Sequence, residues 1–249
     1  MIKDRERIEE IGFGGLKLIQ DPEEFCYGID AVLLADFAAS FLQGKYRAVD
    51  LGTGSGIVPI IMSCKSKEAE FVAVEVQKAS ADRAERSFRL NGLENRISAL
   101  RTDVVDICGK DGEGPGKSSA DMVTTNPPYV ERGSGIVNDY SARFIARQET
   151  TAGLEDFVKA AAWLLKEKGH FCMVHRPSRL VDIMYYCRKY RLEPKDIRFV
   201  SPKKDSIPNI VLVHCIRGGG RELKMHRELC VYDGQGGYSR EIREIYEKI

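Results

Sequence analysis

Residues 124–129 read Thr-Thr-Asn-Pro-Pro-Tyr and follow directly on the short apolar stretch Ala-Asp-Met-Val at 120–123. Two successive prolines offer no backbone N–H, so neither can extend a strand's hydrogen-bond ladder. They can, however, fix the direction of a carbonyl. An exocyclic amine on an aromatic ring is a poor nucleophile, because its lone pair is delocalised into the ring. Two acceptors aimed at its N–H bonds favour a pyramidal nitrogen and free that lone pair for attack. Asn126 offers a side-chain oxygen for this purpose, and the rigid Pro127–Pro128 unit fixes the Pro127 carbonyl as a second. The ring of Tyr129 can stack on a flat substrate, an interaction worth ~1–3 kcal/mol per base. The plainer alternative is that the prolines simply end a strand, and the rest of the chain must decide.

Residues 49–56, VDLGTGSG, place glycines at 52, 54 and 56 between an apolar strand and a helix. Glycines there let a ligand approach the backbone and leave helix N–H groups free for it. A dinucleotide fingerprint would put its third glycine at position 57, which is Ile57, too bulky for the close helix–strand packing that fingerprint needs. Asp50 would also repel a pyrophosphate, whereas it suits a cationic amino group. Glu75 lies at the end of the next apolar run, 23 residues after Gly52, where a carboxylate can accept from both hydroxyls of a ribose. Asp103, just past a third short run, is placed to receive an adenine amino group. Taken singly, either acid reads as an exposed charge at a strand end; in ordered succession they read as a site.

These residues need a scaffold that brings strand ends together. Apolar runs at 46–51, 71–76, 97–100, 121–125, 169–174, 197–200 and 210–216 read as strands. Helices are expected at 57–64, 77–91, 157–167 and 179–190, so strand and helix alternate. Such alternation predicts a doubly wound α/β sheet, mostly parallel, with ligands at the carboxyl ends of its strands. Upstream, YGIDAVLLADF at 27–37 reads as a loop, an Asp30 cap and an apolar helix. The Gly-rich stretch at 109–119 reads as a surface loop. A short extended piece is expected near 228–232, and a charged helix at 239–248 with Ser239 as its cap. The expected organisation is an N-terminal cap segment at 1–45, a main domain at 46–217, and an extension at 218–249 packed on it.

The 249 residues suffice for a proper core, and a net charge of +1 announces neither a nucleic-acid nor a membrane partner. The mean hides an asymmetry: residues 176–249 carry +6 and the remainder −5, so the last third is mildly basic. Seven scattered cysteines without a Cys-x-x-Cys pair suggest reduced thiols in a cytoplasmic protein, and neither cysteines nor histidines show a metal-ligand spacing. No apolar run approaches the ~20 residues of a membrane span, and the N-terminus is too polar for a secretory signal.

Asp-Leu-Gly-Thr-Gly-Ser-Gly, then Glu75, then Asp103, then Asn-Pro-Pro-Tyr resembles the class I S-adenosylmethionine-dependent methyltransferases over residues 49 to about 130. The resemblance implies a Rossmann-like, mostly parallel seven-stranded sheet. It also implies that Asp50, Gly52, Thr53, Gly54 and Gly56 hold the methionine portion of S-adenosylmethionine. Glu75 then holds the ribose, Asp103 with Val104 the adenine, and Asn126 borders both cofactor and substrate. Tyr27, Gly28 and Asp30 either cover the methionine end, as the matching upstream segment does in that family, or belong to a packing helix. The Asn-Pro-Pro-Tyr motif is similar to that of enzymes acting on adenine N6, glutamine side-chain amides or guanine N2, and does not choose among them.

About 45 residues before the first strand leave no room for the helical domain of the glutamine enzymes, and ordinary spacing to the motif leaves none for a DNA-recognition insert. FGGLKLIQ, YGIDAVLLADF and the late IVLVHCIRGGGRELKMHRELCVYD resemble the bacterial tRNA(Val) adenine-N6 methyltransferase family across nearly the whole chain. That implies a tRNA partner and a target adenosine beside the anticodon. Arg132, Arg143, Arg147, Lys203, Lys204, Arg217 and Arg221 are candidate phosphate contacts. A non-catalytic cofactor-binding RNA chaperone is the alternative of another class; a pure binder has no need of an amine-orienting motif.

Overall fold

The computed structural model describes residues 2–24, 26–109, 114–129 and 152–247. Its centre is a sheet of strands β3 (Arg47–Leu51), β4 (Glu70–Glu75), β5 (Ile97–Arg101), β6 (Ala120–Thr125), β7 (Leu165–His175), β8 (Leu192–Lys203) and β9 (Ile210–Arg217). They lie in the order β8-β9-β7-β6-β3-β4-β5, and every pair is parallel except those made by β9. Alternate residues face opposite layers. Ala48 and Phe71 join a core with helices α1 (Ile29–Ala39), α2 (Ile57–Lys65) and α3 (Lys78–Leu90). Val49, Leu51 and Phe171 join another with α4 (Leu154–Leu164) and α5 (Leu180–Lys189). The doubly wound α/β expectation is met, because apolar runs buried on both faces demand two covering layers.

Three local expectations need correction. The sheet has nine strands rather than seven, since β10 (Lys224–Met225) and β11 (Leu229–Tyr232) add parallel to the outer edge of β8. Asp196 on β8 fastens this tail, bonding His214 Nδ1 at 2.7 Å and His226 Nε2 at 2.8 Å. The helix expected at 157–167 ends at Leu164, because Leu165 already pairs with Ala120 and a register shift follows before His170. Asp30 is not the cap of α1; Gly28 holds that position, with Asp30 inside the first turn.

The segment before β3 contains a hairpin, β1 (Arg7–Glu10) with β2 (Lys17–Gln20), that the sequence pattern does not reveal. Four-residue strands carry too little alternation to be told from a loop. The hairpin packs on the main core through Phe13 and Leu18, both fully buried. The final helix α6 (Arg240–Glu247) buries Ile242 and Ile245, and Ser239 Oγ accepts the Ile242 N–H at 3.3 Å. Its Tyr246 meets Phe13 with ring centroids 4.9 Å apart, so hairpin and tail helix pack together. All seven cysteines are free thiols, and Cys172, Cys187 and Cys215 are buried.

Strand order reverses between β3 and β6, whose last residues Leu51 and Thr125 are register partners. The glycine loop and the proline motif therefore leave the sheet side by side. Leu51 also pairs with Val74, one residue before Glu75, and Glu75 pairs with Arg101, two before Asp103. At Gly56, φ is +89°, and a Cβ there would stand 2.5 Å from the Phe88 ring of α3. Gly56→Ala combines a left-handed backbone with an overlap against a fully packed ring, and should cost roughly 2–4 kcal/mol. Urea denaturation reads this directly; an unchanged midpoint would mean that α3 does not press on the loop.

Candidate functional site

A cavity of about 1440 Å³ opens over the carboxyl ends of β3, β4 and β6. Its wall contains Tyr27, Gly28 and Asp30 from the start of α1, and Asp50, Gly52, Thr53 and Gly54 from the first loop. Glu75, Asp103, Val104, Asn126, Pro127, Pro128 and Tyr129 complete the set expected from the sequence. Gly56 is the exception among the expected residues. It is absent from the wall and instead makes the close helix contact with Phe88.

The carboxylates are buried, and burial shapes their chemistry. Asp50 is 3% exposed and accepts a hydrogen bond from Thr124 Oγ1 at 2.7 Å. Burial pushes its pKa up to about 6, against the opposing help of nearby hydroxyls. The Thr53 hydroxyl is close enough to favour the Asp50 charge. Its geometry makes no hydrogen bond, however, and it is left buried without a partner among the described residues. Glu75 accepts the backbone N–H of Gly54 and of Gln77, each at 2.9 Å, one on each oxygen. Each oxygen keeps a second lone pair for an incoming hydroxyl. Burial raises the Glu75 pKa, and these N–H groups pull it back. Asp103 caps the short 3-10 turn Val104–Asp106 through the Val105 N–H at 3.3 Å.

These features fit the methionine, ribose and adenine portions of S-adenosylmethionine. Asp50 is a buried acid suited to an ammonium, the partnerless Thr53 hydroxyl sits beside it, and a Cβ at Gly54 would meet nothing within 4 Å. The chain leaves room there and lines it with acceptors.

Around the motif, Thr124 and Thr125 tie β6 to β3, through Asp50 and through the Leu51 carbonyl at 2.8 Å. The Tyr129 hydroxyl donates to Asp30 Oδ2 at 2.7 Å, and the Arg176 guanidinium lies over its ring, 4.8 Å from the centroid. Sequence reasoning missed Thr124, Phe157, Gln77 and Arg176. Arg176 had a usable signal, since it lies two residues past the predicted fifth strand, where a strand end faces the ligand. Phe157 had none, because a helix position gives no hint that its ring reaches the glycine loop.

The basic candidates divide by sheet edge. Lys203 and Lys204 are exposed at the carboxyl end of β8, which runs parallel with β6 and β7, so they share the edge of the cavity. Arg217 ends the antiparallel strand β9 at the opposite edge and donates to the Ala162 and Leu165 carbonyls. Arg221 follows it there. Neither is placed to touch a substrate in the cavity. Arg132, Arg143 and Arg147 lie outside the described residues, as does part of the loop at 109–119. Among the described residues, no helix is long and apolar enough to cross a membrane, and no three His, Cys, Asp or Glu side chains gather as metal ligands.

Comparison with known proteins adds the family. The model of the methyltransferase small domain matches residues 17–182. A tRNA1(Val) (adenine(37)-N6)-methyltransferase of Bacteroides thetaiotaomicron is 30% identical over 220 residues, covering 88% of this chain and 87% of that protein. The protein of the same name from Actinobacillus succinogenes is 26% identical over 226 residues, covering 89% and 90%. Among solved structures, a predicted O-methyltransferase from Agrobacterium tumefaciens superposes with a TM-score of 0.67 at 22% identity, covering 88% of this chain and 95% of that one. TYW2 of M. jannaschii in complex with AdoMet gives 0.58 at 16% identity, covering 87% and 88%. At such identities the superpositions speak to the fold, and they agree with a Rossmann-like class I sheet. By the match across most of its length, the chain belongs to the methyltransferase small domain family.

Proposed function

We propose that this chain is an S-adenosylmethionine-dependent N-methyltransferase that modifies the N6 amine of a tRNA adenosine, the one beside the anticodon. One observation carries the reading. Register pairing of Leu51 with Thr125 brings the acid-lined glycine loop and Asn126-Pro127-Pro128-Tyr129 to one cavity. The names of the curated relatives support the choice of nucleic acid.

When bound, S-adenosylmethionine supplies a methyl group on a sulfonium, an electrophile that needs no activation. Asp50, Gly52, Thr53 and Gly54 hold its amino-acid end, with Tyr27 and Gly28 beside them; Glu75 takes the ribose, Asp103 and Val104 the adenine. The chain's remaining work is on the acceptor. Asn126 and the Pro127 carbonyl accept the two N–H bonds of the amine and favour its pyramidal form. Tyr129 stacks on the base, which must leave its neighbours at a cost of roughly a few kcal/mol. No strong general base is required, since a methylated aminium loses its proton readily. Alignment supplies most of the acceleration.

Incubation with labelled cofactor and total RNA, and separately with a protein extract, tests the assignment. Label in tRNA adenosine supports it. Label in protein would point to a glutamine acceptor, and no label at all to a cofactor-binding RNA chaperone.

Asn126→Ala should lower kcat by about 10²–10³-fold, the scale for losing one oriented polar group. Cofactor affinity, measured by calorimetry, should stay within about twofold; a collapse of that affinity would make Asn126 a structural residue. Because the Asp50 pKa is raised to about 6, its charge is present above that pH and lost below it. Cofactor affinity should therefore hold from pH 8 to 7 and fall below pH 6, by up to about tenfold per unit. A profile that is flat down to pH 5, or an Asp50→Asn variant with unchanged affinity, would remove Asp50 from the site. Finally, log KM for tRNA should rise with log salt, and Lys203→Ala with Lys204→Ala should reduce that slope by about 1.4–1.8. An unaltered slope would take both lysines off the RNA path.

A further inference from the structure

Tyr129 is held from several sides. Its hydroxyl donates to Asp30 Oδ2 at 2.7 Å, and the other oxygen of Asp30 accepts the Ala31 N–H at 3.0 Å. The Arg176 guanidinium covers the ring at 4.8 Å, and the His175 ring meets it at 5.1 Å with a 58° tilt. Arg176 is itself fixed, since its Nη1 donates to the Asn209 carbonyl at 3.1 Å. The start of α1, the residues after β7 and the β8–β9 connection thus converge on one ring, and Tyr129, Asp30 and Arg176 all border the cavity. Asp30 thus spends one oxygen on the Tyr129 hydroxyl and the other on the first turn of its own helix.

We infer that Asp30 and Arg176 are positioning residues that lock the plane of Tyr129 so that it meets the target base as a preformed platform. The inference rests on the functional reading above and deepens it. A carboxylate accepting from a neutral phenol makes a short, charge-assisted bond. Burial and the Asp30 charge keep the Tyr129 phenol protonated, so the donor is always present. A ring free to rotate would have to be ordered each time a base arrives, at a cost of about 2–12-fold in the bound population. The clamp meets that cost in folding, so it acts on the reacting complex rather than on cofactor affinity.

A double-mutant cycle tests this on the full chain, with tRNA as acceptor. Tyr129→Phe keeps the ring and loses the tether; Asp30→Ala removes the tether's other end. Each should lower kcat about tenfold or raise KM for tRNA by a similar factor, with cofactor Kd within twofold of wild type. The double variant should be no worse than either single change. Asp30→Asn retains an acceptor and tests the site should Asp30→Ala fold poorly. It should keep most activity while Tyr129 is intact, and should recover none when combined with Tyr129→Phe. Arg176→Ala should act in the same direction as the tether variants. Multiplicative losses in the double variant overturn the clamp, as does an Asp30→Ala defect seen in cofactor Kd alone. A wild-type enzyme that labels no RNA overturns the functional reading and the clamp with it. A labelled wild type with an additive cycle overturns the clamp only.

Discussion

The pairing of β3 with β6 is the constraint on which the site depends. These strands are far apart in the chain, yet their last residues, Leu51 and Thr125, are register partners. Parallel pairing puts the loops that follow each strand at one edge, whatever else the chain does. A slip of one residue would turn Asp50 to the other face and part it from Thr124. Val49 and Leu51 on one face and Ala48 on the other, all buried, forbid that slip. The hydrophobic core thereby sets the distance between the acids that receive a cofactor and the motif that receives an amine.

Burial then converts geometry into chemistry. Asp50 and Glu75 are carboxylates that the fold withdraws from water, and withdrawal raises the cost of their charge. The backbone N–H groups of Gly54 and Gln77 partly offset this for Glu75, and Thr124 does so for Asp50. What remains uncompensated is a site short of positive charge. A sulfonium-bearing ligand with an ammonium group meets that need, which a dinucleotide pyrophosphate could only aggravate.

Much of this was legible in the sequence because it lay in local signals. Glycines after an apolar strand, an acid at each following strand end and a double proline are all readable without knowing which strands pair. What stayed hidden depends on contacts between remote segments. Nothing in YGIDAVLLADF says that Asp30 will bond Tyr129, 99 residues away. Nothing at Gly56 says that Phe88 will press against it. Arg217 and Lys203 look alike as cations; only the antiparallel course of β9 sends the first to the far edge, where carbonyls at the end of α4 and the start of β7 absorb it. The N-terminal hairpin and β10 were too short for periodicity to register, while β11 was expected as an extended piece but not as a strand of this sheet.

The added strands matter for another reason. β8 runs for twelve residues along one margin of the sheet, and without β10 and β11 its outer backbone groups would stand bare. An open margin of that length is a template on which another chain can assemble. With Asp196 clasping His226, the tail works as a selvedge, closing the weave along that margin of the sheet.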